Sequence, residues 1–562
     1  MPSRPTALRW SAVQPHTHIV HDRRCVEKVR PFLMAVGLAG MLFPLPALSQ
    51  DSTQVRDYHY VETLDPWLCH QNSASLTRFR SVSLSEAEAI FSRQHGGFTD
   101  YSGSRDVVEA QARITSLYRI NRRTVVSGQM EYSNYTGRDM GGSVFIRSSR
   151  KPFDIEEDSL TNLGRKHLDT YRLRGGVGID LYRGLSVGAL MDYTAANYAK
   201  YKDLRHKNKL MDMTLTAGVY VPVGSVLRMG ANYYYRRTTE SVTFSTYSHE
   251  EKVYKSLINF GAHMGRVEQF SMYGFTNSSR EMPFVDDYNG GGVQIGLDLG
   301  SLTFANELTA AHRKGYYGRK SPYTVTFTHH TSNVYSYRGG IVYNSGRTSH
   351  HLDATLSAEN LRNDLSTYRE MTNEAGATYY EYYDDVKSAN KLWVEGSASY
   401  TFHWGIRGEL PTWSVRGGVN WLHHKQTAYS YPYYRRQKTN RQEYFLEGAH
   451  NINLRRGVLR LEATLSWAEG AGAPFEDLTF VEPSDKQTPP PTMDAWLYRE
   501  HQWLTAAQYA VGGSVKYTFA VPGTRLHAFV KAAASHRKSN ESTPYSIGSD
   551  RISVSVSAGC QF

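Results

Sequence analysis

Ser549-Asp-Arg-Ile-Ser-Val-Ser-Val-Ser-Ala-Gly-Cys-Gln-Phe562, the end of the chain, is the stretch whose reading decides the fold. Ile552, Val554, Val556, Ala558, Cys560 and Phe562 form one apolar set. Arg551, Ser553, Ser555, Ser557, Gly559 and Gln561 form a small or polar set between them. Alternation with period two and no slip is the pattern of a strand with one oily and one wet face.

The same pattern recurs upstream. Tyr171, Leu173, Val177, Ile179 and Leu181 alternate with Arg172, Arg174, Gly176, Gly178 and Asp180. Leu185, Val187, Ala189, Met191 and Tyr193 follow after Tyr182-Arg183-Gly184, against Ser186, Gly188 and Asp192. Leu227, Met229, Ala231, Tyr233 and Tyr235 alternate with Arg228, Gly230, Asn232 and Tyr234, and Leu459, Leu461, Ala463, Leu465 and Trp467 with Arg460, Glu462, Thr464 and Ser466. A soluble sandwich also alternates, so two further features decide. The apolar runs begin or end in Tyr, Trp or Phe, as an aromatic girdle does, and the connections alternate in length. Short turns fall near 120–122, 182–184, 222–225, 299–301, 344–347, 453–457 and 521–524, with long polar stretches near 135–165, 240–285, 367–380 and 470–500. The expected fold is all-β: a transmembrane antiparallel up-and-down β-barrel over residues 85–562, with about 18 strands, or 16 as the alternative, an even number being required for closure. Tight turns on the periplasmic side put both termini in the periplasm.

Composition agrees. The 562 residues are 40% hydrophobic with a mean hydropathy of −0.51, and beyond the N-terminal leader no run of about 20 apolar residues exists to make a membrane helix. A barrel passes that test because its strands alternate. The leader reads as a secretory signal peptide over residues 1–49: a basic region (Arg23, Arg24, Lys28, Arg30), an apolar run from Pro31 to Pro46, and Ala47-Leu48-Ser49 as the cleavage site, behind an overlong n-region that places the true start nearer Val26 or Val29. Its removal takes away six basic and two acidic residues, so the net charge falls from +11 to +7. A mildly basic exported chain is not thereby a nucleic-acid binder. Cys25 leaves with the leader. Cys560, on the face of Phe562, points to lipid, which disfavours a disulfide with Cys69.

Residues 50–84 precede the first strand, as a periplasmic or lumen-lining segment too short for a large plug domain. A closing strand ending in Phe562 resembles the terminal strand of bacterial outer-membrane barrels, in which that ending is the assembly signal read by the barrel-assembly machinery. Met191-Asp192-Tyr193, then Lys202-Asp203-Leu204-Arg205-His206-Lys207-Asn208, then Lys209-Leu210-Met211-Asp212 are similar to a Bacteroidota family of outer-membrane barrels catalogued only as a domain of unknown function. Upstream, Trp67, Asn72, Ala74 and Leu76 resemble that family's pattern before the barrel, with Ser75 where it has glycine. The resemblance implies a barrel in the cell outer membrane, in contact with its lipids and lipopolysaccharide, and supplies no activity.

The inward face leans basic: Arg172, Arg174, Arg228, Arg416, Arg460, Lys516 and Lys531 against Asp180, Asp192 and Glu462. Such a wall favours anionic solutes in a water-filled lumen. The bland alternative is a lumen filled by ion pairs and residues 50–84. The histidine pairs His329-His330, His350-His351 and His423-His424 fall on opposite strand faces, so neither a metal site nor another cofactor is expected. Tyr379 to Asp385 combines aromatic faces with carboxylates, which suits a sugar or cation, or simply a strand reaching beyond the membrane. Arg236-Arg237 and Arg435-Arg436 stand past aromatic belts, positioned for lipopolysaccharide phosphates or for snorkelling. A lipase needs a lipid-facing Ser–His pair with an amide, a protease paired Asp residues with a His. No spacing singles these out, so no catalytic residue is assigned and the chain is not read as an enzyme. The leading functional expectation is a channel or an accessory of nutrient uptake. The runner-up is a closed barrel that docks a partner lipoprotein or receptor through its outer loops, and a lipase or protease comes third.

Overall fold

The computed structural model describes residues 55–157, 162–247, 252–270, 276, 282–321, 324–541 and 544–562. The signal peptide expected over residues 1–49 lies outside the described residues. Within them, eighteen strands close one barrel: β1 (Leu84–His95), β2 (Asp106–Arg119), β3 (Thr124–Met140), β4 (Gly164–Tyr182), β5 (Leu185–Lys200), β6 (Arg205–Val223), β7 (Leu227–Ser245), β8 (Pro283–Leu299), β9 (Leu302–Ser321), β10 (Thr324–Ser345), β11 (Thr348–Leu365), β12 (Val386–Trp404), β13 (Trp413–Ser430), β14 (Tyr433–Leu454), β15 (Gly457–Ala471), β16 (Gln508–Ala520), β17 (His527–Ser539) and β18 (Asp550–Gln561). Each pairs antiparallel with its neighbours in sequence. The cylinder is sealed where β1 meets β18, from Glu86 opposite Gln561 to His95 opposite Ile552. Ser85 and Phe562 extend the seam by exchanging backbone hydrogen bonds of 2.9 and 3.0 Å. Closure matters because lipid offers no partner to an open strand edge.

The alternation read from the sequence is the inside–outside alternation of this wall. Val554 and Val556 stand 49% and 54% exposed on the outer face, as do Leu215, Val219, Leu461 and Leu465, while Ser186, Thr216 and Glu307 on inward positions are buried. Near one rim the outer face carries an aromatic girdle, with Trp404 stacked on Phe402 at 5.3 Å and on Trp413 at 5.5 Å. An apolar outer band with such a girdle is the surface of an outer-membrane β-barrel. Cys560 lies in this outer face and Cys69 inside the wall, and both are free thiols.

The connections separate by end. The turns after β2, β4, β6, β8, β10, β14 and β16 are short, and they share a rim with Leu84 and Phe562. The opposite rim carries the long segments, but not uniformly: 201–204 and 431–432 are tight there too. The long segments are also less polar in structure than in sequence. Asp154–Glu157, Tyr254–Gly261 and Met264–Phe270 form a three-stranded sheet inside the mouth. Phe145, Phe153, Ile155 and Ile258 pack there against the inward Phe284 of β8 and Tyr317 of β9 as a second hydrophobic core. Tyr368–Thr372 and Thr378–Tyr382 pair as a separate hairpin, which is where the tyrosine- and acid-rich stretch lies.

Candidate functional site

The lumen holds the N-terminal segment, built from three short turns that each begin with a capping side chain. Asp57 caps the helix α1 (Tyr58–Thr63), accepting from His59 N and Tyr60 N at 3.1 and 3.3 Å. Asp65 caps Pro66–Cys69 through Trp67 N at 3.0 Å, and Asn72 caps Ser73–Arg78 through Ala74 N at 3.1 Å. An Asp or Asn at the start of each turn satisfies N–H groups that the chain would otherwise bury unpaired. Ser75 donates to the carbonyls of Trp67 and Asn72, both at 2.7 Å, so its hydroxyl braces the turn from inside.

The wall is shaped to receive this segment. Gly178, Gly188 and Gly218 stand side by side on β4, β5 and β6. A Cβ on Gly188 would lie 2.1 Å from Ala74 N, one on Gly178 2.6 Å from Ser73 O, and one on Gly218 2.2 Å from Asn72 Oδ1. Only glycine lets the backbone of the segment approach this closely. Next to the cradle, Asn72 Nδ2 donates to Val219 O at 2.8 Å and to Gln294 Oε1 at 3.0 Å. Trp67 is fully buried, its ring set edge-on to Tyr220 at 5.2 Å. Arg78 ties the end of the segment: its guanidinium donates to Asp65 at 2.7 Å, to Tyr220 Oη at 3.0 Å and to Asp298 of β8 at 2.9 and 3.2 Å. Across the lumen Asp57 pairs with Arg460 of β15, and Arg338 of β10 donates to Cys69 O. The segment is thus held from opposite sides of the barrel.

The sequence-predicted charges fall around it. Arg172 pairs with Asp192 at 2.7 Å, Arg228 with Asp298 at 2.8 Å, and Arg416 with Glu447 at 3.4 Å. Glu462 takes Arg460 at 2.6 Å and Lys531 at 3.0 Å, and Lys516 pairs with Glu86 at 3.3 Å. Asp180 sits near the rim, where its backbone N–H donates to Arg123 O. Arg174 has no carboxylate partner among the described residues and lines a cavity of about 870 Å³ beside the segment. A second cavity of about 590 Å³ lies against the other side, and Gln71 and Arg338 line both. His70 faces the first cavity; burial, with Arg338 nearby, pushes its imidazole down to about 3, so it stays neutral.

A second cluster lies at the mouth. His263, at the tip of the hairpin formed by Tyr254–Gly261 and Met264–Phe270, lies between Glu156 at 2.8 Å and Glu500 at 3.0 Å. Glu500 belongs to the helix α2 (Asp494–Thr505), and Tyr101 from the β1–β2 connection sets its ring edge-on to His263 at 5.1 Å. Burial opposes a charge on this imidazole, but the two carboxylates outweigh it and hold its pKa up at about 10. Nearby Asp154, buried beside Glu156, is pushed up to about 7.

The other motifs resolve into local partners. Arg236 pairs with Asp212, Arg237 with Asp287, Arg435 with Asp477 and Asp494, and Arg436 with Glu476. The doubled histidines split between faces: His350 reaches Tyr400 on the outside while His351 contacts Ser349 within. Among the described residues no group of three or more His, Cys, Asp or Glu is placed to hold a metal ion. Ser349 lies 2.7 Å from His351 Nε2 and 2.6 Å from Asn344 Oδ1, the residue types of a barrel lipase. Both Ser349 and His351 are buried in the lumen wall rather than turned to lipid, and the amide contacts the serine instead of orienting the imidazole.

The sequence offers residues 50–84 as a lumen filler only as an alternative, and the described part of that segment, from residue 55, lies in the lumen. The sequence signal for its seat is the run of glycines on neighbouring polar faces, Gly178, Gly188 and Gly218.

Among solved structures the chain is similar to the ferric preacinetobactin receptor BauA of Acinetobacter baumannii, at 9% identity over 85% of this chain and 80% of that one with a TM-score of 0.40. It is similar also to the outer membrane transporter YddB of Escherichia coli (7%, 85% and 81%, TM-score 0.38) and to a Pseudomonas aeruginosa FadL homologue (12%, 89% and 94%, TM-score 0.30). Likeness at this level carries nothing about activity, and the barrel stands on its own strand register. No curated protein matches the sequence. Residues 73–562 match the model of DUF6850, and the chain belongs to this family of unknown function.

Proposed function

We propose that the protein is a gated outer-membrane barrel serving solute uptake, as a channel or as an accessory of an uptake system, with residues 55–80 as its occluding element. The observation that carries this reading is the glycine cradle: three adjacent strands give up their side chains where the segment crosses the lumen. A barrel meant only as a scaffold has no need of a wall cut to fit a removable insert. Both termini are assigned to the periplasm because the start of β1, Phe562 and the short turns share one rim, and Phe562, exposed at the end of β18, is assigned as the assembly signal. The basic lining, with Arg174 left unpaired, favours anionic solutes.

Planar-bilayer conductance tests the proposal. The intact protein is expected to pass little current, and deletion of residues 55–80 to open a large steady conductance. Arg78→Ala, which leaves Asp65 without its cation and Asp298 with Arg228 alone, is expected to give intermittent openings and serves if the deletion fails to assemble. A folded deletion variant that stays silent at every voltage overturns the channel reading. It would favour the runner-up, a closed barrel that docks a partner lipoprotein or receptor, for which the packed core in the mouth is the supporting observation.

A further inference from the structure

The protein pairs most of its inward charges, yet leaves one end of the barrel strongly positive, with no carboxylate partners for its arginines among the described residues. At the short-turn rim the β2–β3 turn carries Arg122 and Arg123, and the β4–β5 turn carries Arg183. Moving the other way around the cylinder from the β1–β18 seam, Arg525, the pair Arg455–Arg456, Arg407 and Arg347 occupy four successive connections. Arg80, just before β1, bridges the two groups. All of these arginines are exposed, and among the described residues none has a carboxylate partner. The rim's connections hold a single acid, Glu409, which is taken by Arg56 at 3.4 Å. Only the turns at 224–226 and 300–301 lack arginine, so the charge forms a continuous arc.

The depth of the arc identifies what it meets. In four of the connections an arginine stands one or two residues from an exposed apolar side chain of the outer wall: Ile120 before Arg122, Tyr182 before Arg183, Leu454 before Arg455, Leu526 after Arg525. The apolar band ends there, so the guanidinium groups stand at the level of lipid headgroups. Arg183 lies over the ring of the outward Tyr182, 5.0 Å from its centroid, which turns that cation toward the membrane rather than the lumen. Every one of these residues is arginine and none is lysine. Guanidinium binds a phosphate through two parallel hydrogen bonds and is only weakly hydrated, so it recognises the phosphate group as well as its charge. At the opposite rim the arginines past the aromatic belt, Arg237 and Arg436, are already taken by Asp287 and Glu476.

We infer that this arginine arc is a binding surface for the phosphates of anionic phospholipids in the adjacent leaflet, and that it fixes the depth and tilt of the barrel there. The test uses the full-length mature protein in neutral detergent, titrated with phosphatidylglycerol or with phosphatidylethanolamine while thermal unfolding is followed. Phosphatidylglycerol is expected to raise the unfolding temperature and phosphatidylethanolamine to do so far less, with the difference fading as salt is raised. In Arg455→Gln/Arg456→Gln/Arg525→Gln the apparent affinity for phosphatidylglycerol is expected to fall by roughly tenfold or more, while the unfolding temperature without lipid stays unchanged. Should that variant fail to assemble, Arg122→Gln/Arg123→Gln/Arg183→Gln tests the other half of the arc. Equal responses to the two lipids, an unaltered response in a folded variant, or tighter binding of polyglutamate than of phosphatidylglycerol would each overturn the inference, the last in favour of an acidic protein partner.

Discussion

Gly188 shows how much one residue decides. Its missing side chain leaves room for Ala74, whose backbone nitrogen occupies the place of a Cβ. Gly175, thirteen positions earlier and directed outward, has nothing within 4 Å. Gly188→Val is therefore expected to displace the N-terminal segment while the barrel still assembles, and Gly175→Val to change neither. Limited proteolysis of residues 55–80 in folded protein checks this: fast cleavage in the first variant only. Equal protection in both would mean that the cradle does not hold the segment. The sequence displays these glycines on the polar faces of β4, β5 and β6, but strand alternation says only that they face inward. That they align at one level depends on register across two successive hairpins, which no single strand carries.

Hairpin Tyr254–Phe270 raises the same issue for a whole element. Ala262 and His263 at its tip have φ of 48° and 52°, a left-handed conformation that costs a residue with a Cβ, and the ion pairs of His263 with Glu156 and Glu500 offset that cost. The folded-state pKa of about 10 lies above the ordinary 6.5. The clasp's contribution is therefore fully present below about 6.5 and is lost as pH rises through 10. Hydrogen exchange in residues 254–270 is expected to be slow at neutral pH and to accelerate above pH 10 beyond the intrinsic base-catalysed increase, and His263→Asn is expected to remove that step. Unchanged protection factors on both sides of the transition would contradict the assignment. This element was hidden in the sequence for a plain reason. The long connections average out as polar, and their buried residues, Phe145, Phe153, Ile155 and Ile258, follow no period that a strand or helix would impose.

For the whole molecule, the alternation of the last strand already implied the architecture. Closure, strand count and the oily outer face follow from it together with the length pattern of the connections. What it did not imply is that the cylinder is occupied, because the short N-terminal segment has the composition of an ordinary linker and gains its structure from the wall. Leu215→Lys places a cation in the apolar band and is expected to cost roughly 2–4 kcal/mol of insertion if it lies near the bilayer midplane, read as a fall in the folded fraction by heat-modifiable gel mobility. Thr216→Lys, one position along and directed inward, provides the comparison for the wall's polarity, since its cost arises instead from crowding at a buried site.

The measurement that bears most directly on the plugged barrel is a crosslink between segment and wall. Thr77 Oγ1 and Ser186 Oγ lie 2.9 Å apart, one on the segment and one on β5. In a Cys69→Ser/Cys560→Ser background, Thr77→Cys/Ser186→Cys is expected to form a disulfide on mild oxidation in the assembled outer-membrane protein and to lose it with reductant. If both thiols instead remain freely alkylated in folded protein, the segment does not reside in the lumen and the account of a gated barrel fails.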